Sequence, residues 1–337
     1  MTTRLPESKL AIGLDLPDEQ IAADLRDGLQ RVERLLLQTC ASDQPVLNES
    51  ADHLAVAGGK RFRPMLVLLA AQFGEAGRAD IDRAAVVIEL THLATLYHDD
   101  VMDEADVRRG APSANARWDN SIAILTGDFL FARASLLVAQ LGTEAVRIQA
   151  ETFERLVIGQ IRETVQPPAG VDPIEHHLQV LAEKTGSLIA TAGRFGAMFA
   201  GCSAEVENAL RQFGESIGMA FQLSDDLIDI TSDSDDLGKA TGTDLREGVR
   251  TLPMLFALAS PDTDPQLVAL LNAGPLTDPA THAQALALLR ESEAMTAARS
   301  VLTRFVEDAR TQLESLPVCA ARDCLDALVD YMLARST

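Results

Sequence analysis

The chain has 337 residues, 47% of them apolar, which is enough to bury a large core and excludes both a disordered chain and a disulfide-stapled mini-protein. Acidic residues outnumber Lys and Arg 50 to 29, and a formal charge of −21 repels nucleic acid and anionic lipid, so any anionic ligand needs a local cationic or metal site. Asp15, Asp18 and Glu19 stand where a secretory leader would be apolar, and no uncharged stretch reaches the roughly 18 residues of a membrane span, so a soluble, cytoplasmic protein is expected.

Apolar residues recur at three and four spacing along almost the whole chain, as in Ile81, Ala84, Ala85, Ile88 or Ala209, Phe213, Ile217, Ala220, while strand-like alternation is nearly absent. With the turn signals, this period predicts helices over 18–41, 44–57, 63–73, 80–105, 114–140, 143–166, 172–200, 203–231, 252–259, 264–272, 279–316 and 320–335. The main breaks, Gly110 with Pro112, Pro167-Pro168 with Gly170, and Pro261 to Pro265, are too short to be interdomain linkers. The expectation is an all-α fold, a single domain over 18–337 behind an N-terminal tail of residues 1–17. Cys40, Cys202, Cys319 and Cys324 lack paired metal or redox spacing and read as free buried thiols.

The chemistry-bearing segments follow in chain order. Gly58-Gly59-Lys60-Arg61-Phe62-Arg63-Pro64 sets three cations behind two glycines at a helix start, a pattern suited to an anion, although the first glycine and the Ser/Thr of a P-loop are missing. Glu89 and His92 show the Glu-x-x-His spacing of di-iron bundles, but that architecture needs a second copy, and none is found. His92 reads instead as a donor to phosphate or a core polar residue. His98-Asp99-Asp100-Val101-Met102-Asp103 closes an apolar helix with Asp99 and Asp103 on one face, where negative charge opposes the helix dipole unless a cation binds. Arg108-Arg109-Gly110 follows on the next turn. The acidic pattern returns as Asp225-Asp226-Leu227-Ile228-Asp229, one turn after Phe221 and Gln222. Oxygen ligands without cysteine or paired histidine select magnesium or manganese, completed by water and substrate phosphate. Two such helices facing across a bundle would hold a diphosphate through bridging metals. The chain has only four lysines, and three of them, Lys60, Lys184 and Lys239, sit in glycine- or threonine-bearing motifs where a compact ammonium is useful.

With GGKRFRP, HDDVMDEADVRRG, KTG, FQLSDDLID and GKATGTDLREG in that order, the chain resembles the (E)-type polyprenyl diphosphate synthases over roughly residues 30–335. The resemblance implies a homodimeric, all-α magnesium enzyme that elongates an allylic diphosphate with isopentenyl diphosphate. It implies that Asp99, Asp100, Asp103, Asp225, Asp226 and Asp229 serve the metal cluster, and that Arg108, Lys184 and Lys239 hold the allylic diphosphate. Gly59, Lys60, Arg63, His92 and Arg109 would receive isopentenyl diphosphate, and Lys184, Thr185 and Gln222 would set polar oxygens near the allylic cation. Arg61 has no assigned role. The chain departs from the family where Glu247-Gly248-Val249-Arg250 carries arginine in place of the usual lysine.

The prenyl tail should run along the helix that ends in the first aspartate cluster, so Ala94 and Thr95, one turn before Asp99, form its wall. Short-chain members of the family tend to put an aromatic plug there. Its absence implies a product longer than four or five isoprene units, of the kind used for quinone side chains, whose release a membrane would assist. Tyr97 points to another face. The competing readings are a geranylgeranyl or farnesyl diphosphate synthase, a terpene cyclase, which has no use for GGKRFR, and a non-catalytic prenyl synthase subunit, which would usually have lost one metal motif.

Overall fold

The structure, a computed structural model, describes residues 13–165, 167–232 and 241–335. Apart from one two-stranded hairpin, every regular element is helical, as the periodicity predicts. The helices are α1 Glu19–Cys40, α2 Pro45–Val56, α3 Phe62–Ala70, α4 Ala79–Met102, α5 Ala114–Arg117, α6 Asn120–Ala139, α7 Thr143–Thr164, α8 Pro173–Leu181 and α9 Ser187–Phe199. They continue as α10 Ala204–Thr231, α11 Thr243–Glu247, α12 Leu252–Ala259, α13 Pro265–Asn272, α14 Pro279–Glu291, α15 Glu293–Glu314 and α16 Ala320–Ala334.

Three long runs expected as single helices are interrupted. The run over 114–140 breaks at Trp118, because the Asp119 carboxylate turns back to accept the Ile122 amide at 2.9 Å and starts α6 afresh. The run over 279–316 breaks at Ser292. Between α8 and α9 the chain makes a π-turn over Ala182–Gly186, a local widening that often marks functional positions. The hairpin, β1 Val107–Arg108 and β2 Ala111–Pro112, and the five-residue α11 were not expected, being too short to leave a periodic pattern.

The described residues fall into two compact units. The first draws on Met1–Glu154, Leu188–Gly214 and Gln312–Ala327, the second on Arg155–Ser187, Glu215–Thr311 and Leu328–Thr337. In the first unit α4 is the central helix, packed by α1, α3 and α6. It is buried on almost every side, through Ile81, Ala84, Val87, Ile88, Leu90 and Leu93 among others, which is why it carries no one-sided apolar stripe. Glycine lets neighbouring helices close on one another here: a Cβ on Gly196 would lie 2.3 Å from the Val67 carbonyl oxygen, and one on Gly193 2.4 Å from that of Leu210. Leu14 and Leu16, at the end of the expected tail, are buried. α6 is long and apolar enough to cross a membrane by length and composition, despite Asp128 and Arg133, and leaves Leu125 and Leu136 exposed at 58% and 62%. In the second unit α12 packs on α8, α13 and α14, and α14 also packs on α11.

Candidate active site

In the first unit, α4 delivers the first aspartate cluster at its C-terminus, with Asp103 as the C-cap. Asp100 is fully buried, Asp99 half-buried and Asp103 exposed. One Asp100 oxygen accepts the Arg108 Nε–H at 2.5 Å; the other, Oδ2, is buried with no hydrogen-bond partner among the described residues. Burial pushes the Asp100 pKa up and Arg108 opposes that shift, so the carboxylate is short of positive charge. Arg108 reaches it from β1. The loop joining the strands is Arg109-Gly110, with φ of 55° and 76°; two consecutive positive φ values define the tight hairpin turn whose twist matches its strands.

The same turn sends Arg109 to the glycine pair. Its Nη1 donates to the Leu54 carbonyl at 2.9 Å and to that of Gly58, and a Cβ on Gly59, where φ is +153°, would lie 3.1 Å from the Arg109 guanidinium carbon. Glycine is therefore required at 59 both by conformation and by close approach. Lys60 is exposed beside it, and Arg63 and His92 are half-buried. Arg63 Nε is a buried donor without a partner among the described residues. Burial lowers the Arg63 pKa to about 10, and burial together with Arg63, Arg109, Arg61 and Arg108 holds His92 well below its ordinary value and therefore neutral. Five of the expected residues, Gly59, Lys60, Arg63, His92 and Arg109, thus share one loop, one hairpin and one helix face. Glu89, the partner of His92 in the rejected di-iron pattern, is ion-paired with Arg61 at 2.7 Å.

In the second unit, the π-turn presents Lys184 and Thr185. Lys184 Nζ is ion-paired with Glu163 of α7. The Thr185 hydroxyl donates to Gln222 Oε1 at 3.4 Å, and Gln222 Nε2 donates to Asp226 Oδ1 at 3.1 Å, so the two polar residues expected near the reacting carbon form one chain ending on the second aspartate cluster. Asp226 Oδ2 is buried without a hydrogen-bond partner among the described residues, and His177 Nε2, 3.8 Å away, is likewise unsatisfied among them. Asp229 accepts the backbone amides of Thr243 and Asp244, each at 3.1 Å, and so anchors the start of α11. Burial, then Asp229 and Asp226, pushes the pKa of Asp244 up to about 8. Arg250 is exposed, with Nη2 3.4 Å from Asn272 Oδ1. Lys239 lies outside the described residues.

A match to the polyprenyl synthetase family model covers residues 44–289, from α2 to α14. The chain belongs to that family. It is therefore a trans-prenyltransferase. The synthase is 52% identical over 334 residues to a nonaprenyl diphosphate synthase of Mycobacterium tuberculosis, covering 98% of this chain and 99% of that protein. Its fold is similar to that of a geranylgeranyl pyrophosphate synthase of Corynebacterium glutamicum complexed with calcium and isoprenyl diphosphate, with a TM-score of 0.85 and 47% identity over 96% of this chain and 99% of that one. It is also similar to a decaprenyl diphosphate synthase of Rhodobacter capsulatus, with a TM-score of 0.83 and 31% identity over 95% and 100% of the chains.

Two residues of the synthase that contact the expected site left no signal in the sequence. Arg335, from the turn after α16, is ion-paired with Asp225, and His177 faces Asp226. Neither belongs to a recurring spacing, and each is brought to the cluster by tertiary packing. Asp244, which crowds Asp229, lies within the GKATGTDLREG motif but was given no role. At the expected channel wall, Ala94 is fully buried and Thr95 half-buried, its hydroxyl donating to the His92 carbonyl at 2.8 Å. Tyr97 points elsewhere: its hydroxyl donates to the Ser50 carbonyl and accepts the Leu54 amide at 3.2 Å, both on α2.

Proposed function

We propose that the synthase elongates an allylic diphosphate by successive 1′-4 condensations with isopentenyl diphosphate to a long-chain all-trans polyprenyl diphosphate. What supports this reading is the buried Arg63 Nε, a donor without a hydrogen-bond partner among the described residues, beside Arg109 and a neutral His92, which we assign with Lys60 to a metal-independent anion pocket. A buried guanidinium donor without a partner is costly unless a ligand oxygen completes it. A second diphosphate pocket in addition to aspartate clusters is what distinguishes a two-substrate condensation from the cyclisation of one diphosphate.

The donor set fits divalent ions. Among the described residues, Asp100 and Asp226 each keep a buried carboxylate oxygen without a hydrogen-bond partner, and no group of three acidic, His or Cys side chains closes into a protein cage. Magnesium bound by one or two carboxylates and finished by substrate phosphate and water asks for that arrangement. We assign Asp99, Asp100, Asp103, Asp225 and Asp226 to this role, with manganese as a substitute, and Asp229 to holding α11. The ions would neutralise charge developing on the departing diphosphate. Arg108 and Lys184, once drawn from Asp100 and Glu163, would bind the same diphosphate, together with Lys239. Gln222 and Thr185 would set polar oxygens near the allylic carbon. The double bond of isopentenyl diphosphate then attacks, and the released diphosphate takes the proton.

Small residues at 94 and 95 and the nonaprenyl and decaprenyl relatives support a long product, suited to a quinone side chain and released with the help of a membrane or detergent. The exposed apolar side chains of α6 support a homodimer, and the composition a cytoplasmic enzyme. Incubating the purified chain, magnesium, labelled isopentenyl diphosphate and single allylic primers tests the reading. Dephosphorylated products should run as a ladder ending beyond five isoprene units; no turnover without a second protein would overturn it, and a ladder ending at four would favour a geranylgeranyl diphosphate synthase.

A further inference from the structure

Arg61 stands between two residues assigned to the isopentenyl diphosphate pocket, yet its side chain turns away from that task. Its Nε and Nη2 donate to the two oxygens of Glu33 on α1 at 2.9 and 3.0 Å, and Nη2 also donates to the Ala55 carbonyl on α2 at 2.6 Å. Its Nη1 donates to Glu89 on α4 at 2.7 Å. The guanidinium therefore joins three helices. Its backbone adopts φ 46°, ψ 37°, a left-handed conformation unusual for arginine, directly before α3. That conformation leaves the following turn free to present Arg63 while Arg61 points inward.

Glu89 is the reason such a residue is needed. Its side chain is only 3% exposed, and its charge acts on Arg63 and Arg109 as well as on Arg61. A buried carboxylate pairs with whichever guanidinium reaches it best, because leaving it alone in a poorly solvated site is costly. With Arg61 in place, Arg63 Nε has no hydrogen-bond partner among the described residues. Without it, the arginines on which the Glu89 charge also acts are the ones that should meet the ligand.

We propose that Arg61 is a positioning residue for the isopentenyl diphosphate pocket: by engaging Glu89, Glu33 and the Ala55 carbonyl it keeps the buried carboxylate from capturing Arg63 and Arg109, which stay available to the diphosphate. This rests on the pocket assignment made above. Arg61 touches no substrate; it acts through its neighbours.

Steady-state kinetics on the full chain with magnesium separates the two assignments. Arg61→Gln should raise KM for isopentenyl diphosphate about tenfold while kcat and the KM for the allylic primer stay within about twofold. Arg61→Gln/Glu89→Gln, which also removes the capturing charge, should bring that KM back to within about threefold of the parent. Should Arg61→Gln fail to fold, Glu33→Gln, at a partner 38% exposed, should still raise the same KM about threefold. Arg63→Ala reports on the pocket itself. If it leaves KM for isopentenyl diphosphate unchanged, the pocket assignment fails. If it raises that KM while Arg61→Gln and Glu33→Gln do not, or if the double variant is no better than Arg61→Gln, the positioning role of Arg61 is overturned.

Discussion

Arg335 is ion-paired with Asp225, the first carboxylate of the second aspartate cluster, and its guanidinium also lies 4.9 Å from the ring centre of Phe221, one turn earlier on the same helix. The second cluster is thus held partly by a protein cation, much as Asp100 is held by Arg108 in the first unit. In both places the arginine compensates a charge that a divalent ion would also seek, so metal entry competes with an existing contact.

Arg335→Ala should therefore tighten metal binding and loosen the metal-free protein. Asp225 is 40% exposed, and ion pairs this open contribute at most about 1 kcal/mol, so manganese affinity measured by calorimetry without substrate should rise no more than about fivefold. Loss of the same contact should lower the metal-free melting temperature by about 2 °C. Unchanged manganese affinity would show that Arg335 and the ion do not compete.

His92 makes stability depend on pH in a defined direction. Burial and the surrounding arginines hold its pKa well below the ordinary 6.5, so the unfolded chain takes up a proton there that the folded chain refuses. Stability is full above pH 6.5 and is lost as the pH falls below it, by about 1.4 kcal/mol per pH unit for one such group. In chemical denaturation at pH 7.5 and 5.5, His92→Gln should show a smaller loss than the parent. Parallel losses in the two proteins would exclude His92 as the source.

The helices could be read from the sequence because their apolar residues repeat over three or more turns. The hairpin, the π-turn and α11 could not, since two to five residues leave no period. The placement of the two aspartate clusters on helices was also legible, since the repeated DDxxD closes apolar runs of helical period. The resemblance gave roles to Lys60 and Arg63 but none to Arg61, because composition does not say which side chain points inward, and Arg61 does so through a left-handed backbone and contacts to three helices. His177 and Arg335 lie 49 and 110 residues from the aspartates they face. Their proximity is a property of packing.

Product length should respond to α4 and not to Tyr97. Ala94→Phe should shorten the product ladder while leaving the first condensation intact, because the added ring lies somewhat over one turn, about 7.5 Å, before Asp99. One turn deeper, the Thr91 hydroxyl accepts Gln149 Nε2 of α7 at 2.6 Å, a buried crosslink between the two helices. Gln149→Ala should lengthen the products if that crosslink limits the tail. Tyr97→Phe should instead cost about 0.5–1.5 kcal/mol, for the lost hydroxyl bonds to a carbonyl and an amide that, four residues apart in α2, can still pair with each other, with the ladder unchanged. Chromatographic sizing of the dephosphorylated products checks all three. An unaltered ladder in both Ala94→Phe and Gln149→Ala would move the channel away from this face.

The exposed face of α6 provides the last test. Leu125, Ala132, Leu136 and Ala139 recur at helical spacing on its solvent side, while Gly127 on the opposite side admits His98 of α4 so closely that a Cβ there would lie 2.3 Å from Nε2. The helix is thus fixed to the core by its inner face, and its outer apolar face gains stability only if something covers it. If a second copy does so, Leu136→Arg places a charge in the interface without touching the core. Light scattering should then report a monomer, and the melting temperature should lose its dependence on protein concentration, since only association couples the two. A variant that remains dimeric would place the contact elsewhere.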